Sequence, residues 1–75
     1  MKNSQKNLIA KVGKLIKQQR MANDLSQEEL AWKCNLSQTS LCFIELAKGD
    51  IKFSNIITIF KALNINFQEL DKLKE

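Results

Sequence analysis

The stretch "LSQEELAWKCNLSQTSLCFIE", residues 25–45, contains the triplet Leu-Ser-Gln twice, eleven residues apart. Each copy reads as a helix start. Ser26 and Glu29 form a capping box, in which the hydroxyl accepts the Glu29 amide and the carboxylate reaches back to the Ser26 amide. Leu25 before the cap and Leu30 after it are placed for a hydrophobic staple. This pattern predicts a helix over 27–33 with Leu30, Ala31 and Cys34 inward. Asn35 suits positive φ in the tight turn Cys34-Asn35-Leu36, from which Leu36 points into the core. Ser37 then caps a further helix running to Leu46, with Leu41 and Ile44 inward.

Outward from this pair the chain remains helical in pattern. Residues 1–6 are polar and are expected to fray. Leu8, Ile9, Val12, Leu15 and Ile16 recur at spacings of three and four, predicting an amphipathic helix to Met21. Gly13 lowers its helix propensity by about 1 kcal/mol relative to alanine, and Asn23 can end it in the left-handed conformation. Ala47 to Lys52 reads as a loop with Gly49-Asp50 as its turn signal. Phe53, Ile56, Ile57, Phe60 and Leu63 form a fourth helical stripe, which Asn64 can end. Asn66 and Glu69 are spaced as another capping box, opening a last helix with Leu70 and Leu73. Five short helices result.

Size and charge narrow the classes. Seventy-five residues make one domain, 1–75, which buries only roughly 60% of its surface and so depends on tight packing or oligomerisation. With no proline and only two glycines, helices fit better than a sheet of tight turns. Residues 1–23 carry Lys2, Lys6, Lys11, Lys14, Lys17 and Arg20 with no acid, while the rest holds six bases against eight acids. Such a segment either faces an anionic partner, nucleic acid being the commonest, or is a solvated lysine-rich face. Two cysteines, Cys34 and Cys42, and no histidine cannot supply the four ligands of a structural zinc site. They are expected to be reduced thiols in a cytoplasmic protein. The first ten residues are too polar for a signal peptide, and no apolar run approaches the roughly 20 residues that span a bilayer. No cofactor, metal, membrane or small-molecule ligand is expected. Without histidine, and with no base near either cysteine, an enzyme is not expected.

Helices at 27–33 and 38–46 joined by so short a turn form a helix-turn-helix, whose second helix enters the major groove of DNA. With Leu41 and Ile44 inward, the opposite face presents Gln38, Thr39, Cys42 and Phe43. Glutamine can bond an adenine edge at two atoms, threonine a base edge or a thymine methyl, and phenylalanine a thymine methyl. Ser37 and Ser40 serve either capping or phosphate contacts. The alternative is that Phe43 folds into the core and the polar residues only cap.

Residues 8–70 resemble the XRE-type helix-turn-helix family of phage Cro and repressor proteins, through "LSQEELA" (25–31), "NLSQTSLCFIE" (35–45) and "IITIFKALNINFQEL" (56–70). The resemblance implies an all-α, compact five-helix lambda-repressor-like domain with the helix-turn-helix in helices two and three. It implies that Gln27 contacts a phosphate and braces Gln38, and that Gln38, Thr39 and Phe43 read bases. It also implies an ion pair between Arg20 and Glu45. The chain departs from the family after Glu45: Ala47 stands where a glycine is usual, Gly49 is displaced, and Ile51 replaces the usual proline. Trp32 falls where the family is usually polar. It could face DNA, a partner protein or helix one, and a half-buried structural position is the favoured reading.

One recognition helix reads only a few base pairs, so the expected regulator binds a palindromic operator in double-stranded DNA as a homodimer. Phe67, Leu70 and Leu73 are its expected dimer surface, unless they only close the monomer's core. Lysines of helix one, Lys17 among them, with Lys48 and Lys52, would neutralise phosphates. The size and "LAWKCNLSQTS" are similar to controller proteins of restriction-modification systems, alongside small repressors and antitoxin-like regulators. The competing reading is a protein-interaction module that uses the same fold without reading DNA. RNA binding is disfavoured for want of stacking aromatics.

Overall fold

A computed structural model of the chain describes residues 4–73. Among these residues lie five helices and no strand: α1 (Ser4–Ala22), α2 (Gln27–Lys33), α3 (Gln38–Leu46), α4 (Phe53–Leu63) and α5 (Glu69–Leu73). Residues 4–6, expected to fray, are part of α1; residues 1–3 of that segment lie outside the described residues. The bounds of α2 and α3 agree with the capping pattern. Ser26 Oγ accepts the Glu29 amide at 3.0 Å and Glu29 Oε1 accepts the Ser26 amide at 2.8 Å. Ser37 Oγ accepts the Ser40 amide at 3.0 Å.

Helix α1 crosses α3 and packs on α4 and α5, while α2 packs on α3 and α4. Ile16, Leu30, Leu41, Ile59 and Phe60 are the largest fully buried side chains at the centre. The α1–α3 crossing is close enough to exclude a methyl group. A Cβ on Gly13 would lie 2.6 Å from the Glu45 carbonyl oxygen and 2.7 Å from that of Ile44. Helix propensity has been given up at this position to bring two backbones together.

Helices α1 to α4 end in one way, a Schellman motif closed without glycine. Asp24, Asn35, Ala47 and Asn64 hold φ between 57° and 61°. The following amides of Leu25, Leu36, Lys48 and Ile65 bond back to the carbonyls of Arg20, Ala31, Phe43 and Phe60 at 2.8–3.1 Å. In three of the four the residue after the left-handed one is apolar, and it folds back over the last turn as the motif favours. The terminator of α1 is therefore Asp24, one residue beyond the expected Asn23. Ile65, outside any helical stripe in the sequence, is buried because it occupies this position after α4.

Two expectations are corrected. The inward stripe of α4 is Ile56, Ile59, Phe60 and Leu63, at i, i+3, i+4 and i+7. Ile59 is fully buried while the expected Ile57 is only half-buried, and Phe53, one turn before Ile56, overshoots the core and is 65% exposed. There is also no capping box at Asn66–Glu69. Asn66 Oδ1 accepts the Gln68 amide at 2.9 Å, and the Glu69 carboxylate pairs with Lys72 at 3.2 Å. Phe67 stacks on Phe60 at 5.4 Å between ring centroids, so residues 66–68 are held in a turn and α5 opens only at Glu69.

Candidate nucleic-acid interface

Capping by Ser37 and burial of Leu41, Ile44 and Glu45 fix which side of α3 faces away from the core. Gln38 and Thr39 lie exposed on that side, with Cys42 half-buried and Phe43 46% exposed. Together with Gln27 of α2 they line one shallow depression of about 250 Å³. Phe43 is thus outside the core, its ring bridging this depression and a second groove formed with Ser40, Ile44, Asp50, Ile51, Lys52 and Asn55. Asn55, in the first turn of α4, was not singled out from the sequence. Nothing in its own sequence neighbourhood signals that α4 brings it beside Ser40 and Lys52.

Beneath the exposed face, one carboxylate ties three helices together. Arg20 of α1 donates to Glu45 of α3 through Nε at 2.7 Å and Nη2 at 3.3 Å. The remaining Arg20 Nη1 donates to the Leu25 carbonyl at 2.7 Å, at the entrance to α2. Gln27 Nε2 donates to Glu45 Oε1 at 3.0 Å. Both charges are almost fully buried, and no buried side-chain polar atom among the described residues lacks a partner. A bidentate, fully satisfied pair of this kind fixes orientation even where its net stabilisation is small. The hydrogen bond from Gln27 goes to Glu45 and not to Gln38, although both glutamines border the same depression. This link spans eighteen residues, and its sequence signal was confined to the two end residues being polar.

Ser37 Oγ also donates to Ser40 Oγ at 2.9 Å, so both hydroxyls are engaged in closing the first turn of α3. Lys17 is exposed on α1, and Lys48 and Lys52 are exposed in the connection between α3 and α4. That connection keeps a helix-ending geometry although the usual glycine is absent, because Ala47 itself adopts φ 58° and ψ 44°. Gly49 follows at φ 71°, where an added Cβ would lie 3.7 Å from the Phe43 ring.

The remaining expected positions are arranged as follows. Phe67 is 42% exposed, and Leu70 and Leu73 pack half-buried against the core. Cys34 is buried, and burial raises its thiol pKa despite the opposing influence of Lys33, so it is a packed thiol. No group of residues suited to hold a metal ion occurs among the described residues. No described helix is long and apolar enough to cross a membrane. Trp32 is 82% exposed, contrary to the half-buried position expected. Leu30 and Ala31 take the inward side of the two-turn α2, leaving no core surface for the indole.

Comparison with curated proteins and with solved structures yields no match. A family model described as "Helix-turn-helix" matches residues 16–70, from the second half of α1 into α5. The matched segment contains the Arg20–Gln27–Glu45 cluster and the whole exposed face of α3. The chain belongs to the XRE-type helix-turn-helix family of DNA-binding transcription regulators.

Proposed function

We propose that this chain is a sequence-specific regulator whose α3 reads a half-site of a palindromic operator, two copies acting as a homodimer. The observation that carries the reading is the surface of α3. Gln38, Thr39, Cys42 and Phe43 share one accessible depression, while the far side of the helix is locked by Leu41, Ile44 and Glu45. Gln38 and Thr39 supply base-edge hydrogen bonds and Phe43 an apolar surface for a thymine methyl. Gln27 has a second amide hydrogen to offer a phosphate while the first remains on Glu45. Lys17, Lys48 and Lys52 supply the sequence-independent attraction, and Ser37 and Ser40 lie at the helix start nearest the backbone.

The dimer is supported by an apolar groove of about 350 Å³ that Phe67 and Leu70 line together with Ile9, Phe53 and Ile56. Among the lining residues only Asp71 is ionisable, the charge-poor, aromatic-rich composition of an interface core. Regulation then follows from where the bound dimer lies relative to a promoter, and control of restriction-modification genes fits a regulator of this kind. Selection of binding sites from random duplexes tests the proposal. Enrichment of a two-fold symmetric sequence supports it; recovery of unenriched or asymmetric single sites would count against it.

A further inference from the structure

Helix α2 carries a second exposed feature that reading DNA does not use. Trp32 projects with 82% of its surface accessible, and with Leu25, Glu28, Glu29 and Lys33 it borders a depression of about 410 Å³. Glu28 enters no ion pair among the described residues. Glu29 uses Oε1 on the Ser26 amide, and this hydrogen bond lowers its pKa, so the carboxylate stays ionised with Oε2 available. An indole flanked by two carboxylates is a chemically selective surface. Phosphates of DNA or of an anionic membrane are repelled by the acids, and a neutral apolar partner would desolvate them without compensation. An arginine satisfies both parts, its planar face on the indole and its N–H groups on the acids. Lys33, the one cation at the rim, confines such a partner to the Glu28–Trp32 side.

We propose that Trp32 and Glu28 form a docking surface for an arginine-bearing segment of another protein, independent of the DNA-reading face. Trp32 is the chain's only tryptophan, so its fluorescence reports on the surface directly. The full chain is titrated with a short arginine–leucine peptide, with the same peptide carrying citrulline for arginine, and with a mixed-sequence DNA duplex. The arginine peptide is expected to change Trp32 emission saturably, and the uncharged citrulline peptide to leave it unchanged. Glu28→Lys is expected to weaken peptide binding by roughly tenfold or more, since it sets like charges together. Trp32→Ala, followed through the backbone amide signals of α2, is expected to lose peptide binding and keep its affinity for a selected operator within about twofold. The proposal is overturned if the arginine peptide has no effect, or if citrulline serves equally, which would indicate an apolar occupant. It is likewise overturned if emission shifts with protein concentration alone, indicating a second copy, or with the DNA duplex alone. Loss of operator binding by otherwise folded Trp32→Ala would also overturn it, whereas failure of site selection with wild type bears on the DNA reading only.

Discussion

Gly13 and Ala47 are residues whose backbone settings ask for opposite substitutions. Gly13 sits in regular helix, where alanine would gain about 1 kcal/mol of propensity. The added Cβ would instead meet two carbonyl oxygens of α3 inside 3.0 Å. Gly13→Ala is expected to cost about 1–3 kcal/mol net by prising α1 from α3, read from urea unfolding midpoints. Ala47, at φ 58°, carries the cost of a left-handed L-residue. Ala47→Gly is expected to stabilise by up to about 1 kcal/mol in the same measurement. At Glu45 the partners decide the outcome. Glu45→Ala leaves the Arg20 guanidinium buried against the Leu25 carbonyl alone and is expected to cost about 3–5 kcal/mol. Replacing Arg20 and Glu45 together by methionine should cost less than that single change. The turn at Asn35 was legible because it rests on the residue type at its own position, whereas the Arg20–Glu45 pair, twenty-five residues apart, was expected only through the family resemblance. The Gln27–Glu45 bond was not, because nothing local to either residue selects a partner eighteen positions away.

At the scale of elements, legibility followed how local the governing interaction is. The box at Ser26–Glu29 formed because its two hydrogen bonds lie within one turn. The similar spacing at Asn66–Glu69 did not, because Phe67 in the turn before α5 is held by a ring stack with Phe60 of α4. The stripe of α4 has the expected helical period, but its first member Phe53 is exposed and Ile59 is a fully buried member that the expected stripe lacks, since periodicity does not say where the opposing surface lies. Ser26→Ala is expected to destabilise by about 1 kcal/mol through loss of the cap. The acid partner adds a pH dependence. The Ser26 amide and hydroxyl lower the Glu29 pKa from its ordinary 4.5. A carboxyl whose pKa is depressed on folding contributes stability above its unfolded pKa, and the contribution is lost as pH falls through the folded value. The stability advantage of wild type over Glu29→Ala should therefore shrink as pH falls below 4.5, measured by thermal unfolding across the acid range.

For the molecule as a whole, opposite sides of α2 and α3 are given to different neighbours. The core takes Leu30, Ala31, Leu41 and Ile44, and the exposed side of α3 is left polar with Phe43 at its edge. The helix-turn-helix and this exposed face were readable from the repeated Leu-Ser-Gln, since a capped helix with known inward residues has only one outward side. The apolar groove was not, because Ile9 of α1, Phe53 of α4 and Phe67 of the turn before α5 meet only in the folded chain. With the proposed dimer seated on this groove, Phe53→Lys at its rim is expected to shift the sedimenting species to monomer while the helical circular dichroism of the chain is retained.

The most direct test of base reading by α3 is the ratio of dissociation constants for the selected operator and a mixed-sequence duplex, measured at two salt concentrations for wild type and Gln38→Ala. Sequence reading through Gln38 requires that Gln38→Ala weaken operator binding by about 1–3 kcal/mol, with mixed-sequence affinity and the salt slope unchanged. Equal weakening on both duplexes, or no weakening on either, would contradict it.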